Sequence, residues 1–178
     1  IIGASGWEPD PDSGLALDKR GHLLDYAREV ISGDIVHYWW DLPAGDSEYD
    51  RVRLHRVVRE EREHRPIRSR NGVFMLHGDF KDFVGCFVPG LYSDAYPDDF
   101  GIAVYLARHD VDVWGIDQTY NAVPGDVTDL SFMADWGMEK QVDDTVTGLA
   151  IARHVRLHTR NGLRKMHLLG YSGGAILG

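Results

Sequence analysis

The chain has 178 residues, 43% of them hydrophobic and 26% charged, with a formal net charge of −9. That length suffices for a domain with a real core, and the composition is that of a globular protein rather than a disordered one. An acidic surface repels phosphate backbones and anionic lipid, so no nucleic-acid partner is expected.

A lone cysteine, Cys86, excludes an intrachain disulfide and leaves stability to packing. This fits a soluble cytoplasmic protein and equally allows a secreted one. Cys86 is expected to be a small buried apolar residue rather than a nucleophile. The sequence holds no apolar run long enough for a membrane span, so no transmembrane segment is expected. It opens on Ile1 rather than Met, so its natural start is expected upstream.

In chain order, residues 1–14 are rich in Gly, Pro and Asp and are expected to form a loose arm. Leu23, Leu24, Ala27, Val30 and Ile31 recur at helical spacing, and Gly33 sits where a C-terminal cap belongs. The spacing therefore predicts a helix, and 1–34 is set apart as arm and helix from a core over 35–178. Residues 35–42 (IVHYWWDL) and 51–59 (RVRLHRVVR) read as two strands joined by a turn, an antiparallel hairpin with Val52 and Leu54 on one face. The charged stretch 60–72, with Pro66, reads as a surface loop. Residues 72–76 (GVFML) form a short apolar run of the kind found in buried parallel strands.

A long loop is expected over 78–97, then a helix over 98–109 carrying Phe100, Val104 and Ala107. A strand follows over 111–116 (VDVWGI), then a second long loop over 118–136. Met138, Val142, Val146 and Leu149 share one helical face, which predicts a helix over 137–160 closed by Asn161 and Gly162. Asp143 and Asp144 are expected near its start, where acids suit the dipole. Residues 165–169 (KMHLL) read as a last strand. The alternation from residue 73 onward predicts an α/β fold with a mostly parallel sheet, an N-terminal antiparallel hairpin and helices on both faces.

The last strand runs into Gly170-Tyr171-Ser172-Gly173-Gly174, a G-x-S-x-G sequence followed by Ala175-Ile176-Leu177, a plausible helix start. In a tight strand-to-helix turn a serine takes strained dihedrals. The residues two before and two after it approach closely, which Gly170 and Gly174 permit. Ser172 is the expected nucleophile. The strand over 73–76 ends in His77-Gly78-Asp79.

The elbow and the His-Gly after that earlier strand together resemble the α/β-hydrolase superfamily of serine esterases and lipases, over about residues 35–178. The resemblance implies an oxyanion hole made by the backbone N–H groups of Gly173 and Asp79 (or Phe80), with His77 shaping the loop. Val113–Asp117 (VWGID) resembles the family's fourth strand with its terminal Asp. Phe132–Met138 (FMADWGM) resembles the acid-lipase branch, in which a Gly-Met pair enters the helix before the elbow. The family's triad runs Ser, then Asp or Glu, then His. The sequence ends six residues after Ser172, so acid and base are expected on a missing C-terminal half, carried by a second polypeptide.

Other residues receive plainer readings. His154 and His158 are one helical turn apart, a metal pair or, as favoured, solvated helix histidines, since no third ligand stands at a recognisable spacing. His167 reads as a sheet residue and Asp117 as a turn or cap residue. The expected substrate is a small-molecule carboxylic ester. No metal or organic cofactor is implied. The loops 78–97 and 118–136 are expected to border the site. Their aromatics Phe80, Phe83, Phe87, Tyr92, Tyr120, Phe132 and Trp136 form either an acyl pocket or a cover for the core. Two rival readings are a catalytically inactive binding module of the same fold and a nucleotide-binding domain whose glycines cradle phosphate.

Overall fold

The structure, a computed structural model, describes residues 7–9, 16–18, 26–159, 161–162 and 164–178. Strands β1 (Trp7–Pro9) and β2 (Ala16–Asp18) pair antiparallel with each other. The rest of the expected arm, together with Leu23 and Leu24, lies outside the described residues. A meander follows of β3 (Tyr26–Ser32), β4 (Ile35–Pro43) and β5 (Arg51–Arg62), each antiparallel to the next.

The helix expected through Ala27, Val30 and Ile31 is thus a strand. Ser32 pairs with Ile35, so Gly33 and Asp34 are a two-residue hairpin turn, and Gly33 has φ +61. Glycine takes that left-handed conformation without a Cβ clash, and Gly-Asp is a hairpin signal as well as a helix stop. The surface loop expected over 60–72 is also partly regular: β5 continues to Arg62 and folds back on β6 (Arg65–Pro66).

Strand β7 (Asn71–Leu76) leads to α1 (Phe83–Phe87), then a 3-10 turn at Pro89–Leu91, so the first long loop is not structureless. Helix α2 (Ile102–Arg108) buries Val104 and Ala107, whereas Phe100 precedes it and is exposed. Strand β8 (Val111–Asp117) is followed by 3-10 turns at Thr119–Ala122 and Ser131–Met133, then by helix α3 (Met138–His158). Strand β9 (His167–Gly170) and helix α4 (Gly174–Leu177) complete the described chain.

The large sheet has the order β3-β4-β5-β8-β7-β9. Only β7–β8 and β7–β9 pair in parallel, while β5–β8 is antiparallel. The sheet is therefore mixed rather than mostly parallel. Its antiparallel part is a three-stranded meander because β3 adds to the expected hairpin. Helices do cover both faces. Ile151, Ala152 and Val155 of α3 pack on Trp40, Leu54, Phe74 and Trp114. Phe83, Phe87, Val104 and Ala107 of α1 and α2 pack on Val57, Val73, Met75 and Val113.

The expected apolar face of α3 is not the buried one. Met138, Val142 and Val146 are exposed, while Asp144, Thr145, Gly148, Ala152 and Arg156 are buried. Small residues and paired charges bring this helix close to the sheet. Arg156 and Arg56 both reach the fully buried Asp112: Arg56 Nε donates to Oδ1 at 2.8 Å and Arg156 Nη1 to Oδ2 at 2.8 Å. Arg56 also lies 4.9 Å from the centre of the Trp114 ring, a cation–π distance.

Removing one member of a buried ionic cluster strands the others. Asp112→Asn is expected to cost about 3–5 kcal/mol of unfolding free energy, because two buried guanidinium groups lose the counter-charge they share. The shift in urea midpoint at constant m-value measures it, and a near-neutral variant contradicts this account of the cluster.

Candidate active site

The site forms where the C-terminal ends of β7 and β9 meet. The two strands run in parallel register from Val73↔His167 to Leu76↔Gly170, and the Tyr171 N–H extends the ladder to the Leu76 carbonyl at 2.9 Å. Ser172 comes next with φ +53, one of four described non-glycine residues in the left-handed region. Such conformations persist only where the surroundings enforce them.

Here the surroundings are backbone. A Cβ added to Gly170 would stand 2.5 Å from the Ala175 Cα, and one on Gly174 would overlap the carbonyls of Leu76 and His77. A Cβ on Gly78 would lie 2.8 Å from the Ser172 Cβ. The structure thus brings Gly78, Gly170, Ser172 and Gly174 together. Ser172 itself is exposed. Since α4 is only four residues long, individual N–H groups rather than a summed helix dipole are what this turn offers a negative charge.

His77 is buried with both ring nitrogens engaged. The Gln118 N–H donates to its Nε2 at 3.2 Å, so the proton resides on Nδ1, which donates to the Gly78 carbonyl at 2.8 Å. That arrangement fits a loop-shaping role and leaves neither nitrogen for Ser172. Asp79 and Phe80 emerge from the core; Phe80 has φ 60 and is fully exposed. The N–H groups of Asp79 and Gly173 donate to no acceptor among the described residues. The Asp79 carboxylate lies against Gly173, 2.7 Å from where a Cβ would be. Tyr171 is exposed beside the turn.

A groove of about 460 Å³ begins at Asp79 and Phe80 and is lined further by Tyr120, Met133, Trp136 and Lys140. The expected aromatics therefore divide. Phe80, Tyr120 and Trp136 border the groove, with Phe132 edge-on to Trp136 at 5.3 Å. Phe83 and Phe87 are core residues, and Tyr92 is exposed outside the groove lining. Gly137 caps α3 and Met138 opens it, as the Gly-Met resemblance implied. Asp144 is not in the first turn; it is buried, accepting from Thr119 Oγ1 and from Lys140 Nζ at 2.5 Å. Burial, then the charges of Asp79 and Asp117, push Tyr120 up to about 12, so it stays a hydroxyl donor.

Sequence reasoning missed a buried polar chain beneath α1. Glu29 Oε1 meets His37 Nδ1 at 2.8 Å, His37 Nε2 meets His55 Nδ1 at 2.9 Å, and His55 Nε2 lies 3.0 Å from Asp117 Oδ2. The outer nitrogens both face carboxylates, and the inner pair, His37 Nε2 and His55 Nδ1, faces each other. Burial pushes the Asp117 carboxyl up, but His55 and the Phe83 N–H outweigh it and hold it below the usual carboxylate range. That N–H, at 2.6 Å, anchors the start of α1. Asp117 is thus the cap-type residue expected. Its partners were hidden because a strand's period places His37 and His55 on one face without saying which strands adjoin.

The remaining candidates lie apart from this turn. The His154 and His158 rings are 4.6 Å apart on α3, and no group of three or more metal-ligating side chains occurs among the described residues. His167 is exposed on β9. Cys86 is partly buried against the second core cluster, and burial raises its thiol. No helix among the described residues is long and apolar enough to cross a membrane.

No protein-family model matches the chain, and no curated protein matches it. Among solved structures it is similar to the crystal structure of a candidate lipase from Sulfolobus solfataricus, with a TM-score of 0.64 and 21% identity. The match covers 86% of this chain and 44% of that one, so the chain spans less than half the length of that protein. At this identity the likeness shows a lipase-like fold.

The buried polar chain makes a prediction about stability and pH. Burial, more than any other cause, pulls His37 from its ordinary 6.5 down to about 4. The unfolded chain takes up this proton below about 6.5 and the folded state does not. The contribution of His37 is therefore complete above that pH and declines as pH falls toward about 4, by at most about 3 kcal/mol. Urea unfolding from pH 7 to 4 should show His37→Gln losing less stability across this window than the parent; parallel curves refute the assignment.

Proposed function

We propose that this chain carries the nucleophile of a serine hydrolase that cleaves a carboxylic ester through an acyl-enzyme on Ser172. The observation that carries the reading is the left-handed Ser172 at a strand-to-helix turn, crowded by Gly78, Gly170 and Gly174. In the proposed reaction Ser172 Oγ attacks the ester carbonyl as its proton passes to a base. The tetrahedral oxyanion accepts from the N–H groups of Gly173 and Asp79, and collapse expels the alcohol, reprotonated by the same base. Water then releases the acid by the reverse sequence. The lipase-like fold of the similar structure supports this reading.

The base and its acid are proposed to come from outside this sequence, on a segment or second polypeptide that packs beside β9. No described histidine is hydrogen-bonded to Ser172, and both nitrogens of His77 are occupied. Leu168 of β9 and Tyr171 and Ile176 just after it are exposed, which suits a further layer of the fold. The groove beyond Asp79 is proposed to take the acyl chain, with Phe80, Met133 and Trp136 as its apolar wall.

Fluorophosphonate treatment of the native protein, followed by intact-mass and peptide mass spectrometry, tests the nucleophile. One adduct on Ser172 is expected, and Ser172→Ala should lower kcat on p-nitrophenyl butyrate by at least about a thousand-fold. A folded protein that takes no label in the presence of any partner chain it purifies with refutes the reading and leaves a binding module.

Trp136→Ala tests the groove. It should raise KM for p-nitrophenyl octanoate about ten-fold while changing that for the acetate by less than about two-fold. Equal effects on both esters place the acyl chain elsewhere.

A further inference from the structure

At the opposite end of β7, where the strand begins, the chain forms a second concavity that the hydrolase reading does not use. Its volume is about 560 Å³ and it is lined by Arg68, Ser69, Arg70, Asn161, Gly162 and Arg164. The six residues of β7 separate it from the Ser172 turn by about 17 Å of strand rise.

The pocket is built rather than incidental. The Ser69 N–H donates to Asn161 Oδ1 at 2.6 Å, which ties the segment entering β7 to the segment leaving α3. Arg156 Nη2 reaches the Asn161 carbonyl at 3.5 Å, which links the same loop to the buried ionic cluster. The two walls are thereby fixed relative to each other before any ligand arrives.

Its cationic side chains are unpaired. Arg28, Arg53, Arg59 and Arg108 each hold a carboxylate partner. Arg68, Arg70 and Arg164 hold none among the described residues, in a chain of net charge −9. Three unpaired arginines lining one concavity exceed what a monoanionic carboxylate requires. They match the charge and oxygen count of a phosphate monoester, which accepts several charge-assisted bonds at once.

We propose that this pocket binds the phosphate group of a phosphomonoester, remote from Ser172. The site needs no chemistry at the phosphate; it recognises charge and oxygen geometry. It also needs no basic chain overall, because a concave site focuses its local field.

The experiment is isothermal titration calorimetry of the native protein with inorganic phosphate and with glycerol 3-phosphate at fixed ionic strength. Saturable binding is expected, weakened at least about ten-fold by the pair Arg68→Gln and Arg164→Gln. Arg108→Gln, which removes the same charge on an unrelated surface, should leave it unchanged. Circular dichroism confirms folding of each variant, and because Arg68 and Arg164 are exposed, their loss is readable apart from folding. Phosphatidylcholine vesicles with and without phosphatidic acid separate the two sources of the group. Sedimentation with the acidic vesicles that glycerol 3-phosphate reverses assigns a lipid headgroup; binding of the soluble phosphates alone assigns a free metabolite. Absence of saturable binding up to about 10 mM, or binding that the double variant retains, overturns the proposal.

Discussion

The parallel ladder between β7 and β9 is the constraint on which the rest depends. It brings together two turns nearly a hundred residues apart in sequence, the one after Leu76 and the one after Gly170. Because the Tyr171 N–H still pairs with the Leu76 carbonyl, the chain can leave the ladder only at Ser172, and it must turn there at once. Any side chain larger than hydrogen at Gly78 or Gly174 would push the two turns apart. The strain at Ser172 is therefore maintained by hydrogen bonds and close packing on both sides.

Each face of the sheet adds a buried polar group that locks this arrangement from a different direction. On the α3 face, Arg56 and Arg156 converge on Asp112 and bind the helix to the strand register. On the other face, the chain from Glu29 to Asp117 ends on the first N–H of α1. Adjacent to it, the Gln118 N–H orients His77, so the end of β8 shapes the loop at the end of β7. Apolar burial alone is non-directional, whereas these bonds choose one register and one loop path. Such clusters add little net stability when complete and cost much when broken.

Much of this was legible in the sequence, and the misreadings have physical causes. Strands β4, β5, β7, β8 and β9 were visible because continuous or alternating apolar runs have few other uses. The elbow was visible because glycine spacing there records backbone crowding. Strand β3 was not, because it is half-covered and shows no clean alternation, so its chance 3.6 spacing imitates a helix and Gly33 a helix cap. On α3 the apolar stripe faces outward. Gly148, whose Cβ would meet Ile116 and Phe74 at 3.1 and 3.2 Å, marks the inward face instead. Close approach selects small residues, and a hydrophobicity pattern is blind to that. The polar partners of Asp112 and Asp117 required the strand order, which no local pattern encodes.

The charges around the groove bear on what it can hold. Lys140 is engaged by Asp144 and Thr119, so it brings little unpaired positive charge to the groove. Tyr120 stays protonated, and the Asp79 carboxylate stands beside Gly173 at the mouth. A neutral ester enters such a field without penalty. The carboxylate released by the proposed hydrolysis does not remain easily, since like charges at close range in a partly desolvated groove repel. The same carboxylate opposes an oxyanion held at Gly173 unless its side chain turns away. Asp79 is exposed, and its backbone N–H rather than its side chain is the proposed donor. Because the side chain is exposed, rotation toward solvent would separate the two effects in the proposed reaction, the backbone donor staying in the loop while the charge withdraws.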